Sequence, residues 1–177
     1  VPRLFTGIEV PAHIATGLAA LRGGLPGARW IDPENYHMTL RFIGDVDDAV
    51  ADEVGEVLGR VRRRGFEIAF ERLDQFGGRK PRAVFAAAGA VTPLVELQAE
   101  HERLFQRIGL PPESRKFMPH VTLARLREAS AHAVADYLAT RGFYRSPAFP
   151  VTRFVLFSSR AATGGGPYVV EAAYPLE

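Results

Sequence analysis

Apolar and polar positions along the 177-residue chain follow two different periods, and the change from one to the other marks the elements. Leu4 to Val10 reads as a strand, and Pro11 opens a helix to about Arg22, where Gly23, Gly24, Pro26 and Gly27 stop it. The turn-like Asp32-Pro33-Glu34-Asn35 feeds a strand over His37 to Ile43. Val50, Val54, Val57, Leu58 and Val61 stand at helical spacing, which predicts a helix from about Asp47 to Arg63. It ends in Arg60, Arg62, Arg63 and Arg64, a run read as structural because cations favour a helix C-terminus. Strands are predicted over Phe66 to Phe76 and Ala83 to Ala88, then a helix from Pro93 to Ile108 closed by Gly109. A loop, Pro111 to Met118, leads into a strand over His120 to Leu126. A helix at Ala131 to Thr140, a strand at Phe149 to Ser158, a glycine-rich turn at Gly164 to Gly166 and a strand at Tyr168 to Tyr174 complete the chain.

The order of elements repeats. His37-Met38-Thr39-Leu40 returns as His120-Val121-Thr122-Leu123, and 120 minus 37 gives an offset of 83. At that offset Phe66 meets Phe149, Leu73 meets Leu156, Phe85 meets Tyr168, Leu21 meets Leu104 and Leu40 meets Leu123. The period is too long for a solenoid, so two copies imply a pair of lobes about a pseudo-two-fold axis. The expected architecture is an α+β fold with an antiparallel-rich sheet in each lobe, helices on the outer faces and a central groove. One bilobal domain over residues 1–177 is expected.

Composition narrows the chemistry. The chain has no cysteine, which removes disulfides, thiolate nucleophiles and cysteine-ligated zinc. Twenty-two basic residues against 20 acidic ones leave +2, so any site for a polyanion must be local. Residues 1–5 do not resemble a secretory leader and no apolar stretch is long enough for a membrane span, so a cytoplasmic protein is expected.

Strand side chains alternate faces, so His37 and Thr39 point one way, as do His120 and Thr122. Two imidazoles titrating near neutrality can serve as complementary acid and base across one groove, and two hydroxyls can donate to phosphate oxygens. Spacing alone leaves open which histidine is which.

The two His-x-Thr-Leu motifs, Arg3-Leu4-Phe5, Trp30 to Asn35 before the first motif, Pro119 before the second and Ala124-Arg125 after it resemble the two-histidine (2H) phosphoesterase superfamily. Within it the chain is most similar to the bacterial RNA 2',3'-cyclic phosphodiesterases, also called 2'-5' RNA ligases. The resemblance implies metal-independent hydrolysis of RNA 2',3'-cyclic phosphate ends, tRNA fragments among them, to 2'-phosphates. It implies His37 as proton donor to the ribose O3', His120 as acceptor from water, and Thr39 and Thr122 as phosphate ligands. With a 5'-hydroxyl RNA end in place of water, the same site would make a 2'-5' linkage. No cofactor, membrane or obligate protein partner is implied.

Further substrate contacts are candidates. Arg125 matches an arginine that relatives carry near the phosphate, yet alternation would put it on the face away from His120 unless a bulge intervenes. Arg41 has the right parity with His37, and equally suits a structural ion pair. Arg115-Lys116-Phe117 joins charge to an aromatic ring before the second motif, while Tyr36 and Trp30 could stack a base or simply pack. His13, His101 and His132 fall on predicted helices without metal-ligand spacing and are expected at the surface. Gly164 to Gly166 lacks the Lys-Ser/Thr ending of a phosphate loop, and Glu71 and Asp74 carry no assigned chemistry. Three other readings stand beside the leading one: a 2H enzyme acting on a small cyclic nucleotide or 2'-5' oligonucleotide, a non-catalytic binder of RNA ends, and a histidine metal site.

Overall fold

The computed structural model describes residues 3–159 and 167–177; the Gly164 to Gly166 turn lies outside them. In chain order the elements are β1 (Arg3–Glu9), α1 (Ala12–Ala19), β2 (Ala28–Trp30), β3 (His37–Asp45), α2 (Asp48–Leu58), β4 (Phe66–Ile68), β5 (Phe70–Phe76) and β6 (Ala83–Ala88). There follow α3 (Thr92–Arg107), β7 (His120–Leu126), α4 (Ala131–Arg141), β8 (Phe149–Val151), β9 (Arg153–Ser159) and β10 (Tyr168–Pro175).

The strands run β10-β9-β1-β3-β7-β6-β5, with β2 beside β7, and every pairing described is antiparallel. The two lobes meet within this sheet at one residue pair, Met38 with Val121. They meet again in the small β4-β8 sheet, centred on Glu67 and Pro150. Both junctions join residues 83 apart (121 − 38 and 150 − 67), so the pseudo-two-fold axis passes through them. α2 and α4 repeat at the same offset (131 − 48), and so do their N-caps. Asp47 accepts from the Val50 N–H at 2.9 Å, and Ser130 accepts from the Ala133 N–H at 3.0 Å. The expected α+β, two-lobed, antiparallel-rich architecture is therefore found.

The offset fails at one expected match. Phe85 on β6 pairs with Thr122 as Gly7 on β1 pairs with Thr39, so Gly7, not Tyr168, is the counterpart of Phe85. Tyr168 belongs to the edge strand β10. A side chain at Gly7 would put its Cβ 2.8 Å from the Met38 carbonyl oxygen and 3.3 Å from the Phe157 ring. Glycine there gives Phe157 the space it fills beneath His37.

Met38, Leu40, Val121 and Leu123 project to the helix side of the sheet. With Ile14, Leu18, Leu58, Leu97, Phe105 and Val134 they form one continuous core. The opposite face carries a small cluster of Phe5, Val155 and Phe157, against which Tyr168 packs. No helix among the described residues is long and apolar enough to cross a membrane.

Three expectations are corrected. The helix expected to reach Arg63 stops at Leu58, where Gly59 caps it. Arg63 then turns to α3, pairing with Glu100 and Glu96, and its carbonyl accepts from the Glu177 N–H, so this basic residue is structural. The strands expected over Phe66 to Phe76 and Phe149 to Ser158 each break in two, at the symmetric positions Ala69 and Thr152, as the chain passes from the small sheet to the large one.

His101, expected at the surface, is completely buried on α3, with Nδ1 2.9 Å from the Thr6 hydroxyl and Phe154 against its ring. Burial, and secondarily the charge of Arg63, lowers its pKa to about 3. The unfolded chain therefore takes up this proton first. The stabilisation is complete above the ordinary histidine value and declines as pH falls from there toward 3. In equilibrium urea unfolding between about pH 6 and pH 4, wild type should lose roughly 1.4 kcal/mol per pH unit more than His101→Leu. Equal pH slopes would contradict this.

Candidate active site

The register that pairs Met38 with Val121 fixes the site. It sets His37 level with Thr122 and Thr39 level with His120, all four on the face away from the helices. Each histidine thus faces the hydroxyl of the other motif. The two imidazoles lie on a diagonal, where sheet geometry separates residues by roughly 7–8 Å. Between them is a chamber of about 100 Å³, which Asn35, Arg125 and Tyr168 also line.

Both rings are held in the same way. His37 Nδ1 lies 2.9 Å from the Asn35 carbonyl oxygen, and His120 Nδ1 lies 2.6 Å from that of Met118. In each case the carbonyl is two residues upstream, so Nδ1–H is the donor and Nε2 is left for the chamber. His37 is walled by Phe5 at 4.9 Å and by the edge of Tyr168 at 4.7 Å between ring centroids. His120 is walled by Phe76 at 5.0 Å and Phe85 at 5.2 Å.

Burial lowers the pKa of both histidines below the usual 6.5, against the raising effect of the carbonyl bonds. For His37 the charges of His120 and Arg125 add to the lowering.

Arg125 reaches the chamber because β7 carries an extra residue. The β6 partners step from Val84 opposite Ala124 to Phe85 opposite Thr122, so Leu123 is bulged out and the alternation reverses beyond it. Arg125 thereby shares the face of His120 and Thr122, and hydrogen-bonds Tyr168 across the lobes. The matching shift on β3, at Leu40, has the opposite consequence. It turns Arg41 inward, leaving 6% of it exposed, and brings Phe42 out to 47%.

Arg41, a candidate for substrate contact by parity, is thus drawn into a structural network, while still bordering the groove beyond His120. Its Nε donates to Glu102 at 2.6 Å, and its terminal nitrogens donate to the Phe42 and Pro111 carbonyls. Burial alone would raise the Glu102 carboxyl, but Arg41, the Glu113 N–H and Gln106 hold it below the usual carboxylate value. This network fastens the loop that ends in Met118 and His120. Tyr36, at 5% exposure, packs in the core with its edge on the cavity beyond His37, and Trp30 packs on Tyr137. Phe117, Arg115 and Lys116 do line the groove. Tyr168, Asn35, Phe42, Phe76 and Arg82 were not singled out as site residues. Phe42 is brought out by a bulge and Tyr168 by the β10 pairing, neither of which a local pattern announces.

His13 and His132 are exposed, the latter 3.3 Å from Asp136. Among the described residues no three His, Asp or Glu side chains gather as a metal-ligand set.

A pseudo-symmetric fold that sets two His-x-Thr strands around a phosphate-sized chamber defines a 2H phosphoesterase. The chain belongs to the LigT-like phosphoesterase family, whose model matches it twice, over residues 8–86 and 87–168. It is 40% identical over 108 residues to the RNA 2',3'-cyclic phosphodiesterase of Aeropyrum pernix, a match covering 60% of this chain and 61% of that protein. It is 32% identical to that of Aquifex aeolicus, over 82% of this chain and 81% of the relative. With that of Escherichia coli it shares 31% identity over 92% and 89%. The crystal structure of E. coli LigT complexed with 3'-AMP superposes with a TM-score of 0.81 at 27% identity, covering 99% of each chain. TT0787 of Thermus thermophilus shares the fold, with a TM-score of 0.82 at 22% identity over 98% of this chain and 97% of that one.

Proposed function

We propose that this protein is an RNA 2',3'-cyclic phosphodiesterase that uses both motifs as one bilobal unit, leaving RNA with a 2'-phosphate end. The observation that carries this reading is the diagonal pair of imidazoles, each with Nδ1 tied to a carbonyl and Nε2 left for one small chamber. The activity of the relatives named above supports it.

In this mechanism the cyclic phosphate sits between the four motif side chains. His120 Nε2 takes a proton from water, and the water oxygen attacks phosphorus. The P–O3' bond breaks on the far side, and His37 Nε2–H gives its proton to O3'. Thr39 and Thr122 donate to the non-bridging oxygens, with the guanidinium of Arg125 beside them, as charge builds there. The assignment of donor to His37 follows the family resemblance. Solvent returns the pair to its starting protonation. A 5'-hydroxyl RNA end in the place of water would give a 2'-5' linkage by the same steps.

The test is the pH dependence of kcat/KM on an RNA 2',3'-cyclic phosphate end. One histidine must be protonated and the other neutral, so the profile is a bell. Because burial lowers both values, it should peak on the acid side of 6.5. A profile flat through that region would count against paired histidine catalysis. Thr39→Val and Thr122→Val should each lower kcat/KM by roughly ten- to hundredfold, the usual worth of a hydrogen bond to a charged group. Unchanged kcat/KM in both would remove the hydroxyls from the mechanism.

A further inference from the structure

Duplication predicts two similar arms to the groove, one beyond each histidine, and the arms differ. Beyond His120 is a cavity of about 620 Å³ bordered by Arg82, Arg115, Lys116 and Arg125 as well as Phe42 and Phe117, with Glu113, beside Arg115, as its acidic residue. Beyond His37 is one of about 540 Å³ whose acidic lining residues are Glu9, paired with Arg153, and Glu34, with no Lys or Arg among the described residues lining it. An axis that relates the arms cannot account for this excess of cations in one of them, so their occupants differ.

The first arm holds more cation than the reacting phosphate needs. Arg125 serves the central chamber, whereas Arg82 and Lys116 form no ion pair among the described residues. Arg82 is nevertheless placed, its guanidinium 5.8 Å from the centroid of Phe76, the ring that walls His120. Phe42 and Met118, at 47% and 45% exposure, are large apolar side chains left open on this same cavity. Fixed cations interleaved with open apolar surfaces are what a single-stranded nucleic acid requires: charge for its phosphates and a platform for its bases.

We propose that the arm beyond His120 binds a second nucleotide of RNA, with Arg82 and Lys116 on its phosphodiester and Phe42 and Phe117 against its base. This rests on the phosphodiesterase reading for the central chamber. The nucleotide could be the one preceding the cyclic end on the same strand, or the first of a 5'-hydroxyl strand that takes the place of water. The chemistry recognised is the same.

The experiment compares wild type with Arg82→Ala/Lys116→Ala. Substrates are a cyclic mononucleotide, a dinucleotide with a cyclic end, and that dinucleotide with an uncharged methylphosphonate linkage. A 5'-hydroxyl dinucleotide lacking the cyclic phosphate is added in a further arm, and binding of a short RNA is followed by anisotropy against salt. For the same-strand source, kcat/KM should rise by about tenfold from mononucleotide to dinucleotide, the worth of 1.4 kcal/mol. The gain should vanish with the neutral linkage and shrink in the variant. For the entering strand, the two cyclic substrates should match. The 5'-hydroxyl dinucleotide should then suppress hydrolysis by wild type more than by the variant.

In either case the salt slope of RNA binding should fall by about 0.7 in the variant, the contribution of the one phosphate no longer neutralised. No length effect together with no suppression would overturn the proposal, and so would an unchanged salt slope. If no cyclic substrate turned over while the slope still fell, the phosphodiesterase reading would fail and the RNA site would stand.

Discussion

Replacing His37 or His120 with alanine is expected to lower kcat on an RNA 2',3'-cyclic phosphate end by at least about a hundredfold, the lower range for a lost general acid or base. In the proposed mechanism, loss of His37 makes the ribose O3' leave as an alkoxide. Without His120, un-ionised water must attack. Both rings are half-buried in the groove rather than in the helix-side core, so each variant should retain the wild-type fold. Removing either should disable the pair as a unit, so the double variant should fall little further than the singles. Wild-type rates in both single variants, with the fold intact, would take the pair out of the chemistry.

Arg41→Ala is expected to have the largest effect on stability. It removes the charged partner of the Glu102 carboxylate, which keeps only the Glu113 N–H and Gln106, and it strips the donor from the Pro111 carbonyl. Breaking a buried pair costs about 3–5 kcal/mol, and the lower part of that range applies because solvent reaches part of Glu102. Its side chain is 19% exposed. The loop from Pro111 to Met118 should loosen at the same time. At a temperature where the variant is folded, KM should rise, since Lys116, Phe117 and Met118 border the groove. Arg41→Lys should recover only part of the stability, because an ammonium cannot span Glu102 and two carbonyls as a planar fork does. Urea unfolding of the three proteins measures this, and equal midpoints would show that the network holds nothing.

The sequence already carried much of this arrangement, and the limits of what could be read are physical. His37, Thr39, His120 and Thr122 stood out because a motif repeated at 83 residues, and the same spacing implied the axis that joins Met38 to Val121. Arg41 and Arg125 exchanged places because their faces depend on one extra residue in each strand. A bulge at Leu40 or Leu123 answers to pairing with β1 or β6, partners distant in sequence. His101 looked like a surface residue because periodicity places it on a helix without saying that Thr6, from β1, waits opposite. Tyr168 reached His37 through the edge strand β10, where a match of aromatic residues at the right offset suggested the wrong counterpart.

The most direct measurement is to incubate the protein, in excess chelator, with a short RNA ending in a 2',3'-cyclic phosphate and to determine which ribose oxygen keeps the phosphate. The mechanism predicts turnover undiminished by the chelator and a 2'-phosphate product, because His37 protonates O3'. A 3'-phosphate product, or turnover lost with the chelator and restored by a divalent cation, would contradict it.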